Sequence, residues 1–285
     1  MAEAQPRQRL KTLVSGSELA AHPGWRIFDC RHDLAKPEWG AEEYRKAHLP
    51  GARFAHLERD LSAPKTGGNG RHPLPDPAVF IAWLGRQGLK PGDQVVCYEQ
   101  GPGAFAARLW WMLRWAGHDE VAVLDGGLAR WISEGHAVTS EVPFFAQTAY
   151  KANLNPHLAV DISFVEKNLQ KTFLLDSRAP ARYRGEQEPI DPVAGRIPGA
   201  LNRFNDDNLA ASGIFKAPEM LRAEFEAILA NRNPAEVVHY CGSGVAACHN
   251  VLAMEIAGLG GSRLYAGSWS EWIADPRRPR AKGPG

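Results

Sequence analysis

Val237-Val238-His239-Tyr240-Cys241-Gly242-Ser243-Gly244-Val245-Ala246-Ala247 reads as a short apolar strand, a glycine turn and the opening of a helix. The strand half has a counterpart upstream, because Val95-Val96-Cys97-Tyr98-Glu99 precedes it by 142 positions. Other landmarks recur in the same order. His48-Leu49-Pro50-Gly51-Ala52 returns as Arg196-Ile197-Pro198-Gly199-Ala200, Ala116-Gly117 as Ala257-Gly258, and the stretch 126–131 is echoed at 267–272. Asp29 and Asp176 each close an apolar run. A repeat this long is a duplicated domain rather than a solenoid unit. Within each half, short apolar runs alternate with helical patterns. Strands are predicted over 26–29, 94–98, 121–124, 172–176, 237–240 and 263–265, and helices over 77–87, 218–230 and 245–257, with Gly258 as a C-cap. Short runs that do not alternate suit strands buried on both faces, so the fold class is α/β, two tandem domains, each a mainly parallel sheet flanked by helices. The domains are expected at 1–140 and 155–285, with a linker within 135–159, where periodicity fades. The tail 276–285, basic among Pro and Gly, reads as a solvated, mobile segment.

Composition narrows the function classes. The chain has 285 residues, 33 Lys+Arg against 32 Asp+Glu, and a net charge of +1, which gives no footprint for nucleic acid. The most apolar stretch, 104–117, is cut by Arg108 and Arg114, and no run reaches the ~18 residues of a membrane span. The stretch 1–11 is basic without an apolar run, so no secretory signal is expected. Four cysteines are too few for a disulfide scaffold. A cytoplasmic protein is the expectation.

The chemistry is expected at Cys241. Its loop sits at the carboxyl end of a predicted strand and opens a helix, where open α/β sheets bind ligands. Gly242 and Gly244 allow tight curvature, and the loop amides of Ser243, Val245 and Ala246 can turn inward beside the helix's positive end. The result is a cradle for an anionic sulfur. A cysteine phosphatase would need Arg six positions on, where Ala247 stands. His239, Cys241, Cys248 and His249 are near in sequence, but strand and helix part them, so no metal is expected. Cys97 and Cys248 read as core, and Cys30 as structural. Glu99 occupies the place of Cys241 in the first half, so that domain is expected to be inactive, with the active site facing the interface.

With these residues in view, the chain resembles a tandem-domain rhodanese, a sulfurtransferase, over nearly its whole length. The Asp-ended strands, the Pro-Gly-Ala segments, the Cys241 loop and Gly267-Ser268-Trp269 carry the likeness. The neutral loop resembles the 3-mercaptopyruvate branch of that family. The resemblance implies a Cys241 persulfide, formed from a small anionic sulfur donor (3-mercaptopyruvate or thiosulfate) and discharged to a thiol or cyanide. Glutathione, thioredoxin and a dedicated protein are candidate acceptors. It implies that Arg182 binds the donor's anionic end, and that Ser243, His72 and Glu58 form a proton relay. A second family arginine is missing, because Ile190 stands near its place, and Arg184, Arg196 and Arg203 are its candidate substitutes. No metal or organic cofactor is called for, since sulfur on Cys241 is the transferable group. The rival expectation is a non-catalytic module or a protein-to-protein persulfide relay.

Overall fold

A computed structural model describes residues 10–284, so most of the stretch 1–11 lies outside the described residues. The first sheet contains β1 (Leu13–Val14), β2 (Arg26–Asp29), β3 (Arg53–Phe54), β4 (Val95–Tyr98) and β5 (Val121–Leu124), in the order β1-β5-β4-β2-β3. The second contains β6 (Ala159–Val160), β7 (Phe173–Asp176), β8 (Leu201–Asn202), β9 (Val237–Tyr240) and β10 (Arg263–Tyr265), in the matching order β6-β10-β9-β7-β8. Every pairing is parallel. The central strands β4 and β9 are buried at every position, which is why they lack alternation.

Helices cover the faces: α1 (Gly16–Ala20), α2 (Trp39–Lys46), α3 (Pro77–Arg86), α4 (Ala104–Trp115) and α5 (Gly127–Ser133) in the first half. The second half has α6 (Ile162–Lys167), α7 (Pro180–Tyr183), α8 (Pro218–Leu229), α9 (Ala246–Ile256) and α10 (Ser268–Trp272). Helix α3 starts where capping chemistry dictates. Asp76 accepts a hydrogen bond from the Ala78 amide, and Pro77 fills the first turn.

The same buried polar frame locks both sheets. Arg31 forks onto Asp29, and Arg178 onto Asp176. Tyr98, in register beside Asp29, donates to it at 2.7 Å. Arg31 and Arg178 also donate to the Ala47 and Gly195 carbonyls, just before the two Pro-Gly-Ala segments. The two domains then meet through α4 and α9. Both helices are buried nearly all round, and one apolar core runs from Trp111 and Leu113 of α4 into Val251, Leu252 and Met254 of α9. The outer face of each sheet has a core of its own.

The connecting stretch lies along the first domain. Thr148 donates its amide to the Gly85 carbonyl and Asn155 to that of Trp115. Gly117 is required beneath it, since a Cβ there would come within 2.0 Å of the Asn153 carbonyl oxygen. The tail corrects expectation. Arg196 and Ala281 exchange both backbone hydrogen bonds, Trp272 donates to the Pro279 carbonyl, and Arg278 pairs with Glu166. His48 and Thr139 exchange the same pair of bonds in the first half. The tail is therefore a repeated structural return, anchored by backbone bonds, by Trp272 and by Arg278.

Several histidines are folded into this interior as neutral rings. Burial lowers His239 to about 3 and His249 to about 4, from 6.5. Neither ring nitrogen of His239 has a partner. Both groups bind fewer protons folded than unfolded, so the stability they permit is complete above about pH 6.5 and falls as pH drops toward 3–4. His239→Leu should therefore flatten the acid limb of a urea-denaturation series, losing about 3 kcal/mol less stability than the unsubstituted chain between pH 7 and pH 4.5.

Candidate functional site

Cys241 leaves the carboxyl end of β9, and its loop turns directly into α9. The Gly244 amide donates to Cys241 Sγ at 3.1 Å. The other side of the loop is held by the turn from β10 into α10. Cys241 donates its amide to Ser268 Oγ at 3.1 Å, and its carbonyl accepts from the Trp269 amide. Ser270 N–H reaches the Gly242 carbonyl. This use of Gly267-Ser268-Trp269 was not legible, although the motif itself stood out. Ser268 adopts φ +56, a left-handed conformation that its bonds to Cys241 and to the Tyr265 carbonyl hold in place. Gly244 has φ +75, and a Cβ there would lie 2.3 Å from the Ala266 carbonyl oxygen. Cys241, Gly242, Ser243, Val245 and Ala246 line a cavity of about 210 Å³ whose opposite wall includes Phe105 of the first domain.

Two first-domain residues complete the loop. His72 Nδ1 lies 2.8 Å from Ser243 Oγ, both groups being buried. Burial, with Arg108 and Arg71 nearby, lowers His72 to about 3, so the imidazole is neutral at physiological pH. Arg108 of α4 was not foreseen. It is fully buried and forms no ion pair with a carboxylate among the described residues. Its guanidinium donates to the Gly244 carbonyl at 3.0 Å and to the Leu61 and His72 carbonyls at 3.2 Å. A single cation thus ties the His72 loop to the Cys241 loop. Glu58 is a correction to the expected relay. Its carboxylate is paired with Lys65 at 2.7 Å in the same glycine-rich loop, and its described hydrogen bonds do not include one to His72. The local lysine satisfies the acid before it can reach the histidine.

The anionic end of the site is crowded. Arg182 donates to Glu188 through Nε and Nη2, and to Asp191 Oδ2 at 3.1 Å. Burial opposes the Glu188 charge, but Arg182 and the Ile190 and Asp191 amides outweigh it, leaving its pKa below the ordinary value. Ile190 is half exposed at the cavity's edge. None of the proposed substitutes comes there: Arg184 pairs with Glu186, Arg196 holds the Gly283 carbonyl, and Arg203 holds Glu224 and Asn208. Arg71 comes instead, with Nε 2.9 Å from Asp191 Oδ1.

The first domain's equivalent loop carries other chemistry. Glu99 accepts from the Phe105 and Ala106 amides at the start of α4, and burial raises it to about 7. Pro102 stands where Gly244 would, so no amide is available there to meet a sulfur. The residues weighed for a metal do not converge. His239 lies in the β9 core, Cys248 donates to the Gly244 carbonyl, and His249 contacts Pro102 and Asn208. No group of three or more His, Cys, Asp or Glu among the described residues could hold a metal ion. No described helix is long and apolar enough to cross a membrane.

Gly244 allows a direct test of the loop geometry. Gly51 shares its left-handed φ, at +76, but has nothing within 4 Å of an added Cβ. Gly51→Ala should cost about 1–2 kcal/mol in denaturant unfolding, for the backbone alone. Gly244→Ala should cost more and should also abolish reactivity at Cys241, read by alkylation mapped to that residue.

The geometry agrees with the comparisons to known proteins. The model of the rhodanese-like domain matches residues 12–134 and again 162–275. A probable 3-mercaptopyruvate sulfurtransferase from Pseudomonas aeruginosa is 50% identical over 278 residues, covering 95% of this chain and 98% of that one. The thiosulfate sulfurtransferase of Bos taurus is 38% identical, over 88% of this chain and 86% of its own. The solved 3-mercaptopyruvate sulfurtransferase from Leishmania major superposes with a TM-score of 0.83 at 29% identity, covering 96% of this chain and 77% of that one. Two matched domains, each on the same sheet topology, make this chain a member of the rhodanese family.

Proposed function

We propose that this chain is a sulfurtransferase that carries sulfur on Cys241, with 3-mercaptopyruvate as its donor. The observation that carries the reading is the Gly244 amide 3.1 Å from Cys241 Sγ, in a cavity shared with Ser243 and three arginines, Arg71, Arg178 and Arg182. An amide aimed at sulfur stabilises a thiolate, and then a persulfide anion, at little reorganisation cost.

The choice of donor rests on Ser243 and His72. The Cys241 thiolate attacks the donor's sulfur and the donor's C–S bond breaks, releasing the enolate of pyruvate. The donor's S–H proton must leave sulfur and end on the enolate carbon. A neutral His72 hydrogen-bonded to the Ser243 hydroxyl can take and return a proton through that hydroxyl. The products are pyruvate and a Cys241 persulfide. A thiol or cyanide then attacks the outer sulfur and regenerates the thiolate. Thiosulfate brings no proton, so for it the Ser243–His72 pair has no work. In this reading Glu58 stays outside the relay, and the first domain serves the site with His72 and Arg108 while Glu99 leaves its own loop inactive.

Sulfur release from 3-mercaptopyruvate and from thiosulfate, measured side by side, tests this. Cys241→Ser should abolish both. Ser243→Ala and His72→Asn should each lower kcat with 3-mercaptopyruvate by about 10²–10³-fold and leave any thiosulfate turnover within a few-fold. Equal losses with both donors would contradict the relay, and turnover retained in Cys241→Ser would contradict the whole reading.

A further inference from the structure

We infer that Arg71, from the first domain, is the second arginine of the donor clamp and works with Arg182 across the cavity mouth. The inference rests on the sulfur-transfer reading above for the donor's identity, though not for the clamp itself.

Arg71 is built into the site. Its amide donates to Ser270 Oγ at 3.0 Å, on the helix that supports the Cys241 loop. The preceding Gly70 has φ +84, and a Cβ there would come 2.8 Å from the Gly267 carbonyl oxygen. The chain thus presses closely against the second domain before Arg71 projects over the loop. A Cβ on Gly242 would lie 2.6 Å from Arg71 Nη2 and 3.4 Å from Arg182 Nη2. Both guanidinium groups therefore sit directly above the residue next to Cys241, and both line its cavity.

Asp191 joins them. It takes Arg71 through both carboxylate oxygens, at 2.9 and 3.3 Å, and Arg182 through Oδ2 at 3.1 Å. The carboxylate is nearly inaccessible, at 2% side-chain exposure, and fixes the two planes relative to each other. Each guanidinium keeps one nitrogen uncommitted: among the described residues, neither Arg71 Nη1 nor Arg182 Nη1 donates a hydrogen bond. Two unspent guanidinium nitrogens on one cavity wall suit a planar carboxylate. Charge points the same way. Arg178, the third arginine of the cavity, shares Glu188 with Arg182 and also holds Asp176, so Arg71, Arg178 and Arg182 are balanced by Asp176, Glu188 and Asp191 and the cluster is neutral before the donor arrives. A single carboxylate is tolerated there, whereas a compact dianion meets the resident carboxylates with no surplus cation.

The test uses the full chain as it stands, with Arg71→Ala and Arg71→Lys. Steady-state kinetics with 3-mercaptopyruvate are combined with alkylation of Cys241 by iodoacetate, which carries a carboxylate, and by neutral iodoacetamide. Arg71→Ala should raise KM about 10-fold or more with kcat changed by less than about 3-fold. The iodoacetate-to-iodoacetamide rate ratio should fall by about the same factor, and Arg71→Lys should recover part of both. An unchanged KM and ratio in Arg71→Ala would overturn the inference. So would a fall in kcat and in both alkylation rates together, which would mark Arg71 as a brace between domains. If the unsubstituted chain releases no sulfur from 3-mercaptopyruvate while Arg71 still governs the ratio, the clamp stands and only the donor assignment fails.

Discussion

Arg108 is the constraint on which this structure turns. A guanidinium with no accessible surface depends on internal partners, and here Nη1 and Nη2 donate to backbone carbonyls from both domains while Nε has no hydrogen-bond partner. Neutral acceptors leave the charge itself uncompensated, and burial accordingly lowers the pKa of Arg108. The domains cannot part without exposing those carbonyls and the apolar α4–α9 contact together. The same bonds fix the His72 segment against the Gly244 turn, so the distance between Ser243 and His72 is set by the interface. The positive charge sits beneath the loop that holds Cys241, bonded to the Gly244 carbonyl of that loop.

The duplication explains how one domain came to serve the other. Both halves keep the Asp–Arg fork at a strand end and the return strand against the Pro-Gly-Ala segment. These features stabilise a domain and say nothing about chemistry. The loops between the central strand and its helix carry the difference. In one, a glycine amide meets sulfur; in the other, a proline removes the amide and a buried glutamate takes the helix start. The first domain supplies Phe105 to the wall of the Cys241 cavity, and His72 and Arg108 to the loop around it.

Much of this was legible in the sequence. The six predicted strands are present, because their buried positions are mostly apolar and do not alternate with polar ones, and the Cys241 loop lies between strand and helix as its glycines required. The strands that escaped, β1, β3, β6 and β8, are two residues long and have no periodicity to read. The tail escaped because its anchors are mostly backbone bonds and aromatic contacts, while its charged, Pro-rich composition resembles a solvated segment. Arg108 was visible only as an interruption of an apolar run. Ser268 and Arg71 act through a left-handed backbone and a contact between domains, neither of which local composition encodes. Glu58 was misplaced because a nearby lysine, and not the histidine, satisfies it.

In the proposed reaction sulfur passes through Cys241 itself. Incubating the protein with 3-mercaptopyruvate in the absence of acceptor, followed by peptide mass spectrometry, tests this step. One added sulfur atom is expected on the peptide bearing Cys241, removed as thiocyanate by cyanide, with Cys30, Cys97 and Cys248 unchanged. Pyruvate release with Cys241 unmodified, or sulfur carried on one of the other three cysteines, would contradict it.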